Sequence, residues 1–216
     1  MNAVVNAQDP FGNAITLQHE ASAAAVAAFV GGFLGYRPSI LAILPAAETD
    51  HSLTVQACAA VLWMFSESPA GPPKARGHLA RAAAAALPAT ERERQFAAAV
   101  AHWVAGDIGA ALAQHEALAQ QHPRDLAAIK LGQYHAFNLG DAPTMLRLAL
   151  HALPAAQDVA ALHGLLAFGY EQCHRLSQAE AHARTALAMQ PAEPWAQHAL
   201  AQIGRASCRE RVYSSV

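Results

Sequence analysis

Apolar positions in this chain gather in long, alanine-punctuated runs instead of alternating with polar ones. Ala82 to Ala86 and Ala97 to Ala99 are examples, and about a quarter of the chain is alanine, the residue that loses least entropy on entering a helix. No sustained period-two alternation of β-branched and aromatic residues signals a strand. The pattern predicts an all-α chain. Helices are expected near 17–35, 37–46, 52–66 and 73–87, forming one or two atypical hairpins, with residues 1–16 an irregular segment. Pro69, Gly71, Pro72 and Pro73 mark a loop between two of these helices.

From residue 92 the pattern repeats. Ala111, Leu118 and Pro123 hold the spacing that Ala179, Ala186 and Pro191 hold later, and the two prolines are 68 residues apart. Gly106-Asp107 and Gly140-Asp141 are 34 residues apart, each where a turn between helices should fall. These intervals match the 34-residue period of tetratricopeptide hairpins, or twice that period. Leu166, Tyr170, Ala179, Ala186 and Pro191 then fill five of the eight consensus positions, with His163 and Ala167 replacing the tryptophan and glycine. Three hairpins are expected, at 92–125, 126–159 and 160–193. The middle one is degenerate: Ala152 fits, but Gly132, Met145 and Gln157 stand where leucine, alanine and proline belong. Small residues let the helices of a hairpin approach closely, and a lone hairpin cannot bury its apolar face. The architecture implied is a right-handed α-solenoid of antiparallel hairpins with a truncated last helix after residue 193.

A more specific resemblance lies in the order of several short motifs. Thr90-Glu91-Arg92-Glu93, Trp103, Gly106-Asp107, His122-Pro123-Arg124-Asp125-Leu126-Ala127 and Leu139-Gly140-Asp141 come first. Ala167-Phe168-Gly169 with Glu171, then Ala179-Glu180, Ala186-Leu187, Pro191, Trp195 and His198 follow. Over about residues 10–203 this order resembles the N-terminal part of the tetratricopeptide repeat protein 38 family. The resemblance implies a helical-repeat protein that holds a partner. Two departures stand out: Glu193-Pro194 replaces an Asp-Ala pair, and Gln202 stands where a second histidine would accompany His198. Family members continue with further repeats, whereas Gly204 to Val216 matches nothing in the repeat and resembles an adapter- or vector-derived translation. An apolar edge left after Ile203 would favour self-association.

Charge narrows the candidate chemistry. A formal net charge of −2 and the lack of a Lys/Arg stripe argue against nucleic acid, including one-base-per-repeat RNA readers. Cys58, Cys173 and Cys208 have no metal-like spacing, and no Lys or Arg precedes Arg37 to open a signal peptide, so a cytoplasmic setting is expected. The uncharged stretch Ala21–Tyr36 is short and alanine-rich for a membrane span, and reads as the first helix of the stack. Twelve histidines invite a metal, yet no HExxH, CxxC or i,i+4 histidine pair occurs. His115 with His122, and His151 with Asp158, are seven apart, although Pro154 is expected to break the second helix. No GxSxG, phosphate-binding glycine loop or paired carboxylates suggest an enzyme, and no cofactor is implied. The alternative is a helical-repeat enzyme or subunit with a pocket inside the solenoid.

The first helix of each hairpin should line a concave groove for a protein or peptide. The positions that map there are Phe96, Val100 and Trp103, joined by Val104; then Lys130, Tyr134, Phe137 and Asn138; then Phe168, Glu171 and Gln172. This aromatic, weakly charged set suits an apolar helix or peptide. Trp103, Phe137 and Phe168 equally suit an inter-repeat core.

Overall fold

The computed structural model describes the backbone of residues 4–213, with side chains through Arg205. Among these residues the chain is helical apart from one short β-hairpin, and neighbouring helices pack largely in sequence order. No helix among them is long and apolar enough to cross a membrane. The chain divides into two compact units, residues 1–128 and 129–216.

The first unit opens with the feature that departs most from expectation. Within the segment expected to be irregular, β1 (Val5–Gln8) and β2 (Ala14–Leu17) pair antiparallel, Val5 opposite Leu17 and Gln8 opposite Ala14. The turn between them is made by Asp9, whose Oδ1 accepts from the amides of Phe11 and Asn13, and by Gly12 at φ +84°. Ile15 and Leu17, both on β2, are buried, so this strand docks the hairpin. Consequently the first helix, α1, spans Ser22–Gly35 and begins later than residue 17.

A 3₁₀ turn, Pro38–Ala42, and α2 (Ile43–Thr49) follow, then α3 (Leu53–Phe65) and α4 (Gly71–Ala85). Gly71, Pro72 and Pro73 open α4 and do not lie in the loop. Proline in a first turn sacrifices only an amide that has no helical partner there. α5 (Glu91–Val104) is started by a capping box, in which Thr90 and Glu93 satisfy each other's backbone amides. It pairs with α6 (Ile108–Gln121). A chain of aromatic contacts runs through this unit: Phe29–Phe33 at 5.8 Å, Phe33–Phe65 at 5.5 Å and Phe65–Trp103 at 5.3 Å.

α7 (Leu126–Asn138) carries the chain into the second unit, followed by α8 (Ala142–Ala156), α9 (Ala160–Gln172), α10 (Leu176–Met189) and α11 (Pro194–Tyr213). Gln133 on α7 donates to the carbonyls of Met145 on α8 and Leu165 on α9. Pro154 does not break α8. It falls in the last turn, and the helix ends two residues later, so little of the ladder is lost. Ala167, Ala183, Ala186, Ala196 and Ala199 form a buried all-alanine cluster shared by α9, α10 and α11, which brings these helices close together. The backbone of α11 stays helical through Tyr213, past the point where the apolar period fades. The unusual tail of the sequence lies outside the described residues from 214, and outside the described side chains from 206.

Three equivalent turns carry the 34-residue interval in the backbone, one more than the two visible in the sequence. Gly106, Gly140 and His174 all have positive φ, at +84°, +72° and +56°. Each amide bonds to the carbonyl three residues back, on Trp103, Phe137 and Glu171 respectively. The following residue closes a second bond, Asp107 to His102, Asp141 to Ala136 and Arg175 to Tyr170. Asp107 and Asp141 then cap the next helix through the amides of Ala110 and Thr144. His174-Arg175 adopts the same turn without the left-handed tolerance of glycine or the capping carboxylate. His174→Gly is therefore expected to raise unfolding free energy by about 0.5–1 kcal/mol in urea denaturation. An unchanged midpoint would mean that His174 carries no strain.

Candidate partner-binding surface

The groove positions proposed from sequence divide sharply by burial. Phe96, Val100, Trp103 and Val104 are all buried in the first unit. Trp103 packs edge-on against Phe65, and Phe96 stands edge-on to His115 at 6.4 Å. These residues are core and offer no surface to a partner, because α5 is covered by helices that the 34-residue pattern does not include.

In the second unit, α7, α9 and α11 bring aromatic side chains together. The Phe168 ring lies 5.6 Å from Phe137, 4.3 Å from Trp195 in a stacked arrangement and 5.6 Å from His198. Trp195 and His198 meet edge-on at 5.8 Å. Phe168 is the anchor, only 6% exposed, whereas Phe137 is 47% and neighbouring Leu139 56% exposed. Trp195 is half-buried and His198 exposed. Tyr134 is half-buried and edge-on to His135, and Asn138 is exposed beside Phe137. Glu171 and Gln172 are half-buried and joined by a 2.6 Å hydrogen bond. The groove set named from sequence omitted Trp195, His198 and Leu139. The three-residue spacing of Trp195 and His198 on one helix face was the available signal.

Lys130 was expected to face the groove, but it is 5% exposed. Its Nζ lies 5.6 Å from the Trp195 ring centroid. Burial pulls the Lys130 ammonium down to about 7, while the charge of Glu193 opposes that shift. Burial likewise pushes the Glu193 carboxyl up, against bonds from the Ala196 and Trp195 amides and the charge of Lys130. Glu193 thus caps α11, its Oε2 accepting from the Ala196 amide at 2.6 Å. Gly164 makes this possible, because a Cβ there would run into the Glu193 carboxylate. The cluster therefore presents aromatic and aliphatic area to solvent with its cation held beneath.

The buried polar residues of the first unit have a different role. Glu93 accepts four hydrogen bonds: from the Thr16 amide at 2.7 Å, the Thr16 hydroxyl at 2.8 Å, the Thr54 hydroxyl at 2.5 Å and the Thr90 amide at 2.6 Å. It ties β2, α3 and the start of α5 to one carboxylate. Beside it Arg92 donates to Asp125 at 2.6 Å and to the Ala14 carbonyl at 2.9 Å. Burial opposes the Arg92 charge, but Asp125 more than offsets it and holds the guanidinium above its ordinary range. Burial pushes the Cys58 thiol far up, with Asp125 adding to the effect, so this thiol is unsuited to nucleophilic attack. The cavity among these groups has a volume of about 20 Å³, room for a water molecule and far short of a metabolite. Ser66 donates to the Trp63 carbonyl at 2.6 Å and sits 3.1 Å from Ser68.

The histidine pairs suggested by spacing do not form sites. His115 is buried against Phe96, and His122 ends α6 with its amide bonded to Leu118. Among the described residues no three His, Cys, Asp or Glu side chains converge as metal ligands. A different pair does meet, His163 with His182, whose Nδ1 atoms are 2.9 Å apart. No protein-family model matches this chain.

Proposed function

We propose that this chain is a tetratricopeptide-type scaffold, akin to the tetratricopeptide repeat protein 38 family, that binds a protein or peptide partner and catalyses no reaction. A right-handed solenoid belongs to the same reading. One observation supports it above the others: Phe137, Phe168, Trp195 and His198 form a single aromatic cluster on α7, α9 and α11. These helices are alternate members of the row, which is where successive hairpins would expose a common face. Aromatic residues with a buried anchor and an open rim are what an amphipathic helix needs to dock. The three equivalent turns support the repeat half of the proposal.

Peptide display tests it. Helical peptides selected on the whole chain are expected to carry apolar residues at i, i+3, i+4 and i+7. They should lose about 10-fold or more in affinity when Phe137 and Leu139 are both changed to serine. Both side chains are about half exposed, so thermal melting should change less than affinity. If no peptide enriches, or the enriched peptides bind the double variant equally well, the binding surface lies elsewhere.

A further inference from the structure

The His163–His182 contact joins α9 to α10 head-on, Nδ1 to Nδ1 at 2.9 Å, with ring centroids 5.2 Å apart. The other ring nitrogen of His163, Nε2, lies 3.0 Å from the Gln157 carbonyl at the end of α8. A carbonyl only accepts, so His163 Nε2 carries a hydrogen. Its Nδ1 is then free to accept, and His182 Nδ1 must donate. The Tyr170 ring is nearly parallel to His182 at 5.4 Å. His182 on α10 therefore contacts two rings of α9, and the contact also reaches α8 through His163.

Such a pair has an asymmetric response to protons. One added proton leaves a donor and an acceptor on the shared axis, whichever ring carries the charge. A second removes the acceptor and sets two N–H groups against each other. We propose that His163 and His182 form a pH-sensitive latch that holds α10 on α9 and releases it when both imidazoles are protonated. Burial, and then the charge of His163, lowers the pKa of His182. The sign follows from linkage: the open form binds more protons, so the latch is closed above the ordinary histidine range and weakens as pH falls below it. Asp158 follows Gln157 at the end of α8, one residue from the carbonyl that His163 contacts. Glu180 is engaged with Arg184 at 2.6 Å, and Glu193 stands against Gly164 and caps α11.

Amide exchange of the whole chain at pH 7.5 and 4.5, expressed as protection factors, reads the latch directly. Wild-type α10 amides are expected to lose about 10-fold or more protection at the lower pH, and His182→Phe should lose less than about 2-fold. Phenylalanine keeps the stack on Tyr170 but cannot be charged. His135, Lys130 and Glu193 are present in both proteins, so a difference between the two reports the pair. Long-range nitrogen–proton spectra of the wild type give a check that does not need the variant to fold. The first proton should leave the His163 Nε2–H in place, and the second should coincide with exposure of α10. Undiminished α10 protection at pH 4.5, an equal loss in His182→Phe, or two independent titrations near the ordinary histidine value would each overturn the proposal.

Discussion

Glu93→Ala is expected to lower the unfolding free energy of the first unit by about 3–4 kcal/mol, seen as a large fall in melting temperature and in the urea midpoint. The carboxylate accepts from two backbone amides and two hydroxyls, and these four donors come from β2, α3 and the start of α5. Alanine would leave Thr16, Thr54 and Thr90 facing a void with no acceptor and would also abolish the capping box of α5. Glu93→Gln separates geometry from hydrogen bonding. Its amide oxygen can still accept from Thr16 and Thr54, but its NH₂ meets the Thr90 amide donor to donor. A loss of about 1–2 kcal/mol is expected there. If alanine and glutamine cost the same small amount, the network is not what fastens the N-terminal hairpin.

The second large effect is expected at Phe168. Phe168→Ala should cost about 3–5 kcal/mol by thermal or urea unfolding, because a nearly buried aromatic ring is replaced by a methyl group. The damage is not confined to the core. Trp195 stacks on this ring at 4.3 Å and His198 and Phe137 lean on it, so the exposed rim loses its support. Phe168→Leu should recover roughly half of the stability, since it restores apolar volume without the flat face. It should not restore peptide affinity to the same degree. Equal recovery of both would mean that Phe168 acts on binding only through stability.

How much of this was legible beforehand varies by element. Alanine content and the lack of period-two alternation were enough to predict helices, since both report local backbone preference. The turns at Gly106-Asp107 and Gly140-Asp141 were visible because glycine and a capping aspartate are the residues that such a turn favours. The equivalent turn at His174-Arg175 was not, because it has neither the glycine nor the capping aspartate that mark the other two. The N-terminal hairpin had its turn chemistry in plain view, Asp9-Pro10-Phe11-Gly12-Asn13. Its four-residue strands were too short for an alternation to register.

The candidate surface followed the same division. Helical periodicity placed Phe96, Trp103, Lys130, Phe137 and Phe168 on first helices, but periodicity cannot state what lies opposite. Trp103 met Phe65, and Lys130 was covered beside Trp195, so both left the surface. Glu93 and Glu193 stood in the sequence only as motif positions, and their burial depended on Thr16 and Thr54 for one, and on the missing side chain of Gly164 for the other. His163 and His182 are 19 residues apart and share no motif.

The sequence by itself determined where helices form and where two of the 34-residue turns fall, because those choices are made within a few residues of backbone. Only the tertiary structure decided which aromatics are core and which are rim, which carboxylates are buried, and which two histidines meet. Each of those depends on a neighbour brought close by packing, and burial and electrostatics are properties of that neighbourhood.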